Sequence, residues 1–147
     1  LLPRQMRAML QRMVGTGEVP PSSARPIDLP LAEQVVAAVN ARDWDALTGL
    51  AGADLVLIHP QSSRRYGRKH FVKAARMSAE AYPDLRMLVE EVVADPVSAD
   101  VAWVRFAETG RPRIGAPLRA SWWERWTLSP DGLTMRELAL GRAVQVD

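Results

Sequence analysis

The feature that most constrains the fold is a change of hydrophobic period close to Pro83. Before this proline, apolar residues recur three and four positions apart, as they do on one face of an α-helix. This spacing predicts four helices, at about residues 3–14, 29–41, 44–50 and 68–81. Asp28 and Asp43 stand where they are expected to cap the second and third of these helices, and Pro30 suits the first turn of the second.

Beyond Pro83 the apolar residues alternate with polar ones, which is the period of a β-strand. Four such runs are separated by segments with good turn chemistry: "LRMLVEEVVA", "VAWVRFAE", "LRASWWERWTL" and "LTMRELAL". An earlier strand, "ADLVLIHP", ends at Pro60. Helices followed by a strand meander predict an α+β domain: a curved antiparallel sheet wrapped on three helices, with an extra N-terminal helix.

The chain is expected to contain one folded domain. Residues 1–30 combine the first helix with a connector rich in Pro, Gly and Ser, and residues 31–147 form the domain itself. A chain of 147 residues is long enough to bury a sizeable core. Cysteine is absent, which excludes disulfides and thiolate chemistry.

Charge and hydropathy argue against several classes of partner. The chain has 19 basic and 17 acidic residues, an excess too small for a dedicated nucleic-acid-binding protein. No apolar run approaches the roughly 20 residues that span a bilayer, and arginines interrupt the opening segment where a secretory leader is apolar. We therefore expect a cytoplasmic protein that binds neither nucleic acid nor membrane. The two histidines, His59 and His70, lack metal-binding spacing, so neither a metal nor another cofactor is expected.

One strand carries an unusual acidic residue. In "SWWERWTL", strand alternation places Glu124 on the same face as Trp122 and Trp126, which is the more apolar face. Burial among tryptophans raises the pKa of a carboxyl group, so Glu124 is expected to stay protonated near neutrality and to donate a hydrogen bond. The alternative is an ion pair with an arginine near in sequence, for which the candidates are Arg119, Arg125 and Arg136.

Four segments, in this order, resemble the nuclear transport factor two-like superfamily, and in particular the ketosteroid isomerases and SnoaL-like polyketide cyclases. They are "VVAAVNARDWDAL", "ADLVLIHP", "YGRKHFVKAARMSAEAYPDLRM" and "WERWTLSPDGLTMRELALG". The resemblance covers roughly residues 31–142. It implies a cone-shaped domain with a pocket between the concave face of the sheet and the helices.

The resemblance also implies two catalytic positions. The residue before the proline of the first strand is a base in the steroid isomerases, and here it is His59. A carboxyl residue on the penultimate strand is the working acid in these relatives, and here it is Glu124. The oxyanion tyrosine of the isomerases is replaced by Val35, so steroid isomerisation by their scheme is not expected.

Further residues are expected to contact the ligand or a second subunit. The predicted pocket contacts are Trp122, Trp126, Phe106, Val104, Leu57, Val35 and Tyr66. Trp103 and Arg105 alternate away from this face and are predicted to lie against the partner of a homodimer. The N-terminal helix is expected either to cover the pocket mouth or to pack on a neighbouring subunit.

The expected function is proton-transfer catalysis by His59 and Glu124 on a small, mostly apolar carbonyl compound. By resemblance, this is a SnoaL-like cyclase, isomerase or dehydratase (lyase) of polyketide or other secondary metabolism, without a cofactor. The alternative is a binding or accessory dimerisation domain that has a pocket but no turnover.

Overall fold

A computed structural model describes residues 3–59 and 64–147, which form helices packed against one face of a sheet. The helices within these ranges are α1 Pro3–Met13, α2 Pro30–Ala41, α3 Trp44–Leu50 and α4 Arg68–Ala81. The strands are β1 Arg25–Pro26, β2 Ala51–Ile58, β3 Arg65–Tyr66, β4 Arg86–Ala94, β5 Val101–Gly110, β6 Leu118–Leu128 and β7 Met135–Val146. None of the described helices is both long and apolar enough to cross a membrane.

Helix α2 buries an apolar stripe against the sheet and ends in a left-handed residue. The buried stripe includes Leu31, Val35 and Val39, at the spacing of one helix face. Its N-cap is Leu29, whose side chain makes no capping bond, so the prediction that Asp28 caps this helix is wrong. The helix starts at Pro30, whose fixed φ suits the first turn, and Asp28 therefore lies one residue too early to cap it.

The break between α2 and α3 is fixed by two local interactions. Arg42 has a φ of 58°, and its backbone N–H bonds to carbonyl oxygens of the last turn of α2, which ends the helix. Asp43 then accepts a hydrogen bond from the backbone N–H of Ala46 at 3.0 Å, so its prediction as the cap of α3 is confirmed. These two residues turn the chain from one helix into the next.

The sheet has the strand order β1-β4-β5-β6-β7-β2-β3 and is mixed. Strands β4 to β7 form the antiparallel meander, as predicted, and β2 adds to it by pairing with β7 in parallel. The alternation of apolar and polar residues predicts which face of the sheet a residue occupies, but it does not predict which strands pair with each other. Irregular register in β4, β6 and β7 bends the sheet over the helices.

The main core lies between the concave face of the sheet and the helices. On β5 and β6 the inward residues pair across the sheet, with Phe106 opposite Trp122 and Val104 opposite Glu124. A second, small apolar cluster lies on the convex face, where Val93, Trp103 and Trp123 pack together. The alternation read from the sequence therefore matches the two faces of the observed sheet.

The N-terminal segment contacts both faces of this sheet. Met9 and Leu10 of α1 are buried in the main core, which favours the expectation that this helix covers the pocket. Residues 14–26 then pass the edge of β7, where the N–H of Arg142 bonds to the carbonyl of Glu18 at 2.7 Å. Gly141 permits this crossing, because a Cβ there would lie 2.6 Å from the Glu18 carbonyl oxygen.

Beyond this crossing, the connector covers part of the convex face. Ala24 packs against the cluster that contains Trp103, and Arg25 and Pro26 pair with the edge of β4. The guanidinium group of Arg105 lies 3.3 Å from Glu91 and 5.7 Å from the ring centroid of Trp123. Trp103 and Arg105 thus face outward as predicted, and their contact with a dimer partner stays a prediction.

Asn40 ties the end of α2 to the first strand of the meander. Its side-chain amide donates to the carbonyl of Met87 at 2.8 Å, and its side-chain oxygen accepts from the N–H of Met87 at 2.8 Å. Both backbone groups belong to a buried residue, so they depend on this partner.

We expect Asn40→Ala to lower the free energy of unfolding by about 2 kcal/mol, because it removes two hydrogen bonds and leaves a buried backbone pair unsatisfied. Urea unfolding measures this loss. Gln34→Ala, on the exposed face of the same helix, is the matched control and should change stability by less than about 0.5 kcal/mol. Equal effects of the two substitutions would contradict the role given to Asn40.

Candidate active site

A cavity of about 100 Å³ lies between the concave face of the sheet and the helices. Its walls come from α1, α2, α4 and the inward faces of β2 and β4 to β7. The lining residues are Met9, Leu10, Val35, Val39, Leu57, Phe71, Ala74, Ala75, Ser78, Met87, Phe106, Glu108, Trp122, Glu124, Trp126, Leu138 and Leu140. Two carboxyl groups and one serine thus face an otherwise apolar space.

Glu124 is held at the cavity wall by the two tryptophans that flank it along β6. The indole Nε1 of Trp122 donates to one carboxyl oxygen at 2.8 Å, and the indole Nε1 of Trp126 donates to the other at 2.9 Å. Residues two apart on a strand lie on the same face, so the sequence itself brings the three side chains together. Glu124 therefore forms a buried hydrogen-bonded unit with Trp122 and Trp126.

Opposing effects set the ionisation of Glu124. Burial raises the pKa of this carboxyl, while the indole hydrogen bonds from Trp126 and Trp122 favour its charged form, and the net shift is upward. A carboxylate has about four lone-pair positions, so two indole bonds leave others available to a ligand. Glu124 is therefore able to exchange a proton with a molecule in the cavity.

Among the described residues, no arginine forms an ion pair with Glu124, so the alternative prediction of an arginine partner is not supported. Arg119 pairs with Asp147, and Arg125 pairs with Glu18 and Glu137. Arg125 also points to the convex face, where its guanidinium group lies 5.9 Å from the ring centroid of Trp103. The carboxyl of Glu124 is thus bonded to indole N–H groups instead of a cation.

Glu108 is a second buried carboxyl in the same cavity, and the sequence analysis did not single it out. The residue is 6% exposed, and its carboxyl receives no hydrogen bond from the described residues. Burial, together with the nearby charge of Glu124, raises the pKa of Glu108 to about 7. The alternation that placed Val104 and Phe106 toward the pocket continues to this residue, so the signal was present in the sequence.

His59 and Tyr66 lie apart from this cavity lining. His59 follows the last residue of β2, and its backbone N–H bonds to the carbonyl of Arg64 at 3.2 Å. Burial and the charge of Arg12 lower the pKa of His59, and its Nδ1 is buried without a hydrogen-bond partner among the described residues. Tyr66 stacks on His70, with 4.0 Å between ring centroids.

The other predicted pocket residues lie in or next to the cavity. Val104 is fully buried in the core but does not line the cavity. Those that line it are Val35, Leu57, Phe106, Trp122 and Trp126. The ring of Phe106 lies 6.2 Å from that of Trp122 and 5.7 Å from that of Trp126, so three aromatic rings form one wall. In residues 3–59 and 64–147, no group of three or more His, Asp or Glu side chains is placed to hold a metal ion.

The raised pKa of Glu108 predicts a pH-dependent stability. Its carboxyl ionises near its ordinary value of 4.5 in the unfolded chain but near 7 in the folded one, so the folded state binds more protons between these values. Stability is therefore lost as the pH rises from about 4.5 through about 7, with a slope of up to about 1.4 kcal/mol per pH unit for one proton.

We expect Glu108→Gln to reduce this slope and to make the protein more stable than the wild type above pH 7. Urea unfolding at a series of pH values measures both effects. Glu33→Gln, the same change on the exposed face of α2, should leave the slope unchanged. If the difference in stability between the wild type and Glu108→Gln stays constant over this range, Glu108 ionises in the folded protein as it does in the unfolded chain.

Comparison with known proteins places this fold and cavity in a family. The solved structures similar to the chain include IdmH of Streptomyces antibioticus, a candidate polyketide cyclase, with 17% identity, a TM-score of 0.64 and coverage of 80% of this chain and 90% of that one. A candidate ketosteroid isomerase of Kribbella flavida has 22% identity and a TM-score of 0.56, covering 76% of this chain and 73% of that one.

An NTF2-like protein of unknown function from Exiguobacterium has 17% identity and a TM-score of 0.63, and the match covers 76% of this chain and 97% of that one. These likenesses show the α+β cone fold. No curated protein sequence matches the chain significantly. The SnoaL-like domain family matches residues 32–137, which is most of the chain. The chain therefore belongs to the SnoaL-like family, within the NTF2-like superfamily.

Proposed function

We propose that this protein is an acid–base enzyme that acts on a small, mostly apolar carbonyl compound without a cofactor. The observation that carries the proposal is the buried carboxyl of Glu124, which faces an apolar cavity and is bonded only to indole N–H groups among the described residues. A carboxyl group in such surroundings serves a proton transfer better than it serves stability, because burying it costs free energy.

The reaction class follows from the chemistry of the cavity. An apolar wall of aromatic rings accommodates a carbon skeleton, and a carboxyl group exchanges a proton with a carbon next to a carbonyl or with the oxygen itself. Cyclisation, isomerisation and dehydration all pass through such a transfer. Proteins of this fold include a candidate polyketide cyclase and a candidate ketosteroid isomerase, which supports a substrate from polyketide or related secondary metabolism.

His59 completes the proposed pair, because it occupies the strand-end position where relatives keep a base. Burial and the charge of Arg12 lower its pKa, so the imidazole is neutral at pH 7 and able to accept a proton. Its ring does not line the cavity. Glu124 is the group inside the cavity.

Hydrogen–deuterium exchange at the α-carbon of simple ketones tests this function without knowledge of the natural substrate. We expect the wild type to accelerate the exchange of at least one ketone in a panel that includes β-tetralone and small cyclic β-diketones, followed by NMR in D₂O. Glu124→Gln should reduce this rate by about 10²–10⁴-fold, because it removes a positioned proton-transfer group.

Glu91→Gln is the matched control, since it makes the same change on the convex face of the sheet, where Glu91 bonds to Arg105. It should leave the exchange rate unchanged. His59→Ala reports whether the imidazole contributes as well. If the wild type binds members of the panel but exchanges none of them, the protein is a binding domain without turnover and the proposal fails.

A further inference from the structure

We propose that Glu108 and Glu124 act as a catalytic pair of carboxyl groups, with Glu124 as the base and Glu108 as the acid, and that a neutral ketone binds between them. This inference rests on the acid–base function proposed for Glu124, and it assigns the second catalytic role to Glu108, which lines the cavity, in place of His59, which does not; it also adds a restriction on the substrate. Both side chains line the same cavity, on adjacent strands.

The strand register fixes how the two carboxyl groups face each other. Glu124 pairs with Val104, whereas Glu108 pairs with Ala120. The two pairs are four residues apart along the strands, which corresponds to about 13 Å between their backbones. The pair of Phe106 and Trp122 lies between them on the same face. The two carboxyl side chains therefore flank an aromatic surface against which a flat or cyclic molecule is able to lie.

The two carboxyl groups have unequal surroundings, and this inequality assigns their roles. Glu124 receives two indole hydrogen bonds, which stabilise its charged form. Glu108 receives none from the described residues, and the charge of Glu124 opposes its ionisation. Burial acts on both. Glu124 is thus the one that carries a charge first, and Glu108 keeps its proton up to a pH of about 7.

No other described ionisable side chain faces this pair. The remaining lining residues come from α1, α2, α4, β2 and β4 to β7, and all of them are neutral. A substrate with a free carboxylate would place a third acidic group in this space without a cation to meet it. The cavity therefore favours an uncharged ketone over an anionic one of the same shape.

The proposed step balances with these two groups alone. The carboxylate of Glu124 takes a proton from the carbon next to the carbonyl, and the electrons of the broken C–H bond form a carbon–carbon double bond. The carbonyl oxygen takes the proton of Glu108, so the product is a neutral enol, and the charge has moved from Glu124 to Glu108. Return of a proton from Glu124 to the same carbon, and of the enol proton to Glu108, completes an exchange. In a β,γ-unsaturated ketone the enol is conjugated, so return of the proton from Glu124 to the γ-carbon completes an isomerisation instead.

The pH dependence of the exchange rate tests this assignment. The reaction needs Glu108 protonated, so we expect the wild-type exchange rate for a reactive ketone to fall as the pH rises through about 7. Glu108→Gln should be slower and should lose this fall, because glutamine does not ionise. Glu108→Asp should retain it. Trp122→Phe, which removes one donor to Glu124, should move the acidic limb of the profile to higher pH.

Infrared spectroscopy of the protein gives a readout that does not depend on activity. The carboxylic acid C=O band of the wild type should disappear as the pH rises through about 7, and Glu108→Gln should lack this change. Substrate charge is tested with β-tetralone and a carboxylate-bearing tetralone, of which only the neutral compound should exchange. Exchange of both at similar rates would overturn the restriction to neutral substrates.

The outcomes separate this inference from the function on which it rests. If Glu124→Gln abolishes exchange while Glu108→Gln keeps the wild-type rate and profile, the acid–base function stands and the role of Glu108 is wrong. If Glu108→Gln lowers the rate equally at every pH but leaves the profile unchanged, Glu108 is structural and the inference also fails. If the wild type exchanges no member of the panel, both proposals fail.

Discussion

The site depends on one interaction, the pair of indole hydrogen bonds that holds the carboxyl of Glu124 inside an apolar cavity. An isolated buried carboxylate is too unfavourable to persist, and it either protonates or finds donors. Trp122 and Trp126 supply donors that carry no charge, so the carboxyl is positioned without being neutralised by a cation. Strand alternation alone sets this arrangement, and the helices that cover the strand keep water away from it.

The sequence predicted most of the fold because its two periods differ clearly. Helices α1 to α4 and the strands of the meander lie close to the predicted ranges. Each feature of the fold that the sequence did not predict has a physical reason. Strands β1 and β3 have two residues each, too few to show an alternation. The parallel pairing of β2 with β7 depends on the path of the whole chain, which no local pattern contains.

The candidate site was also predicted only in part, and the residue that was missed has a physical explanation too. Glu124 was visible because a charge among tryptophans breaks the apolar face of its strand. Glu108 was missed because it is the last residue of the predicted run, which in the structure continues to Gly110, and glutamate is usually exposed at such a position. His59 follows the last residue of β2, and beyond a strand end alternation no longer fixes where a side chain points. The buried face of a strand thus predicts a site only as far as the strand extends.

Part of the cavity wall comes from outside the region that matches the SnoaL-like family. The region that matches the SnoaL-like family, residues 32–137, contains both Glu108 and Glu124. Met9 and Leu10 of α1 and two leucines of β7 also line the cavity, and all four lie outside this region. A volume of about 100 Å³ is small for a ligand site, and α1 supplies part of its wall. The matched region therefore contains both buried carboxyl groups, while segments outside it narrow the space in front of them.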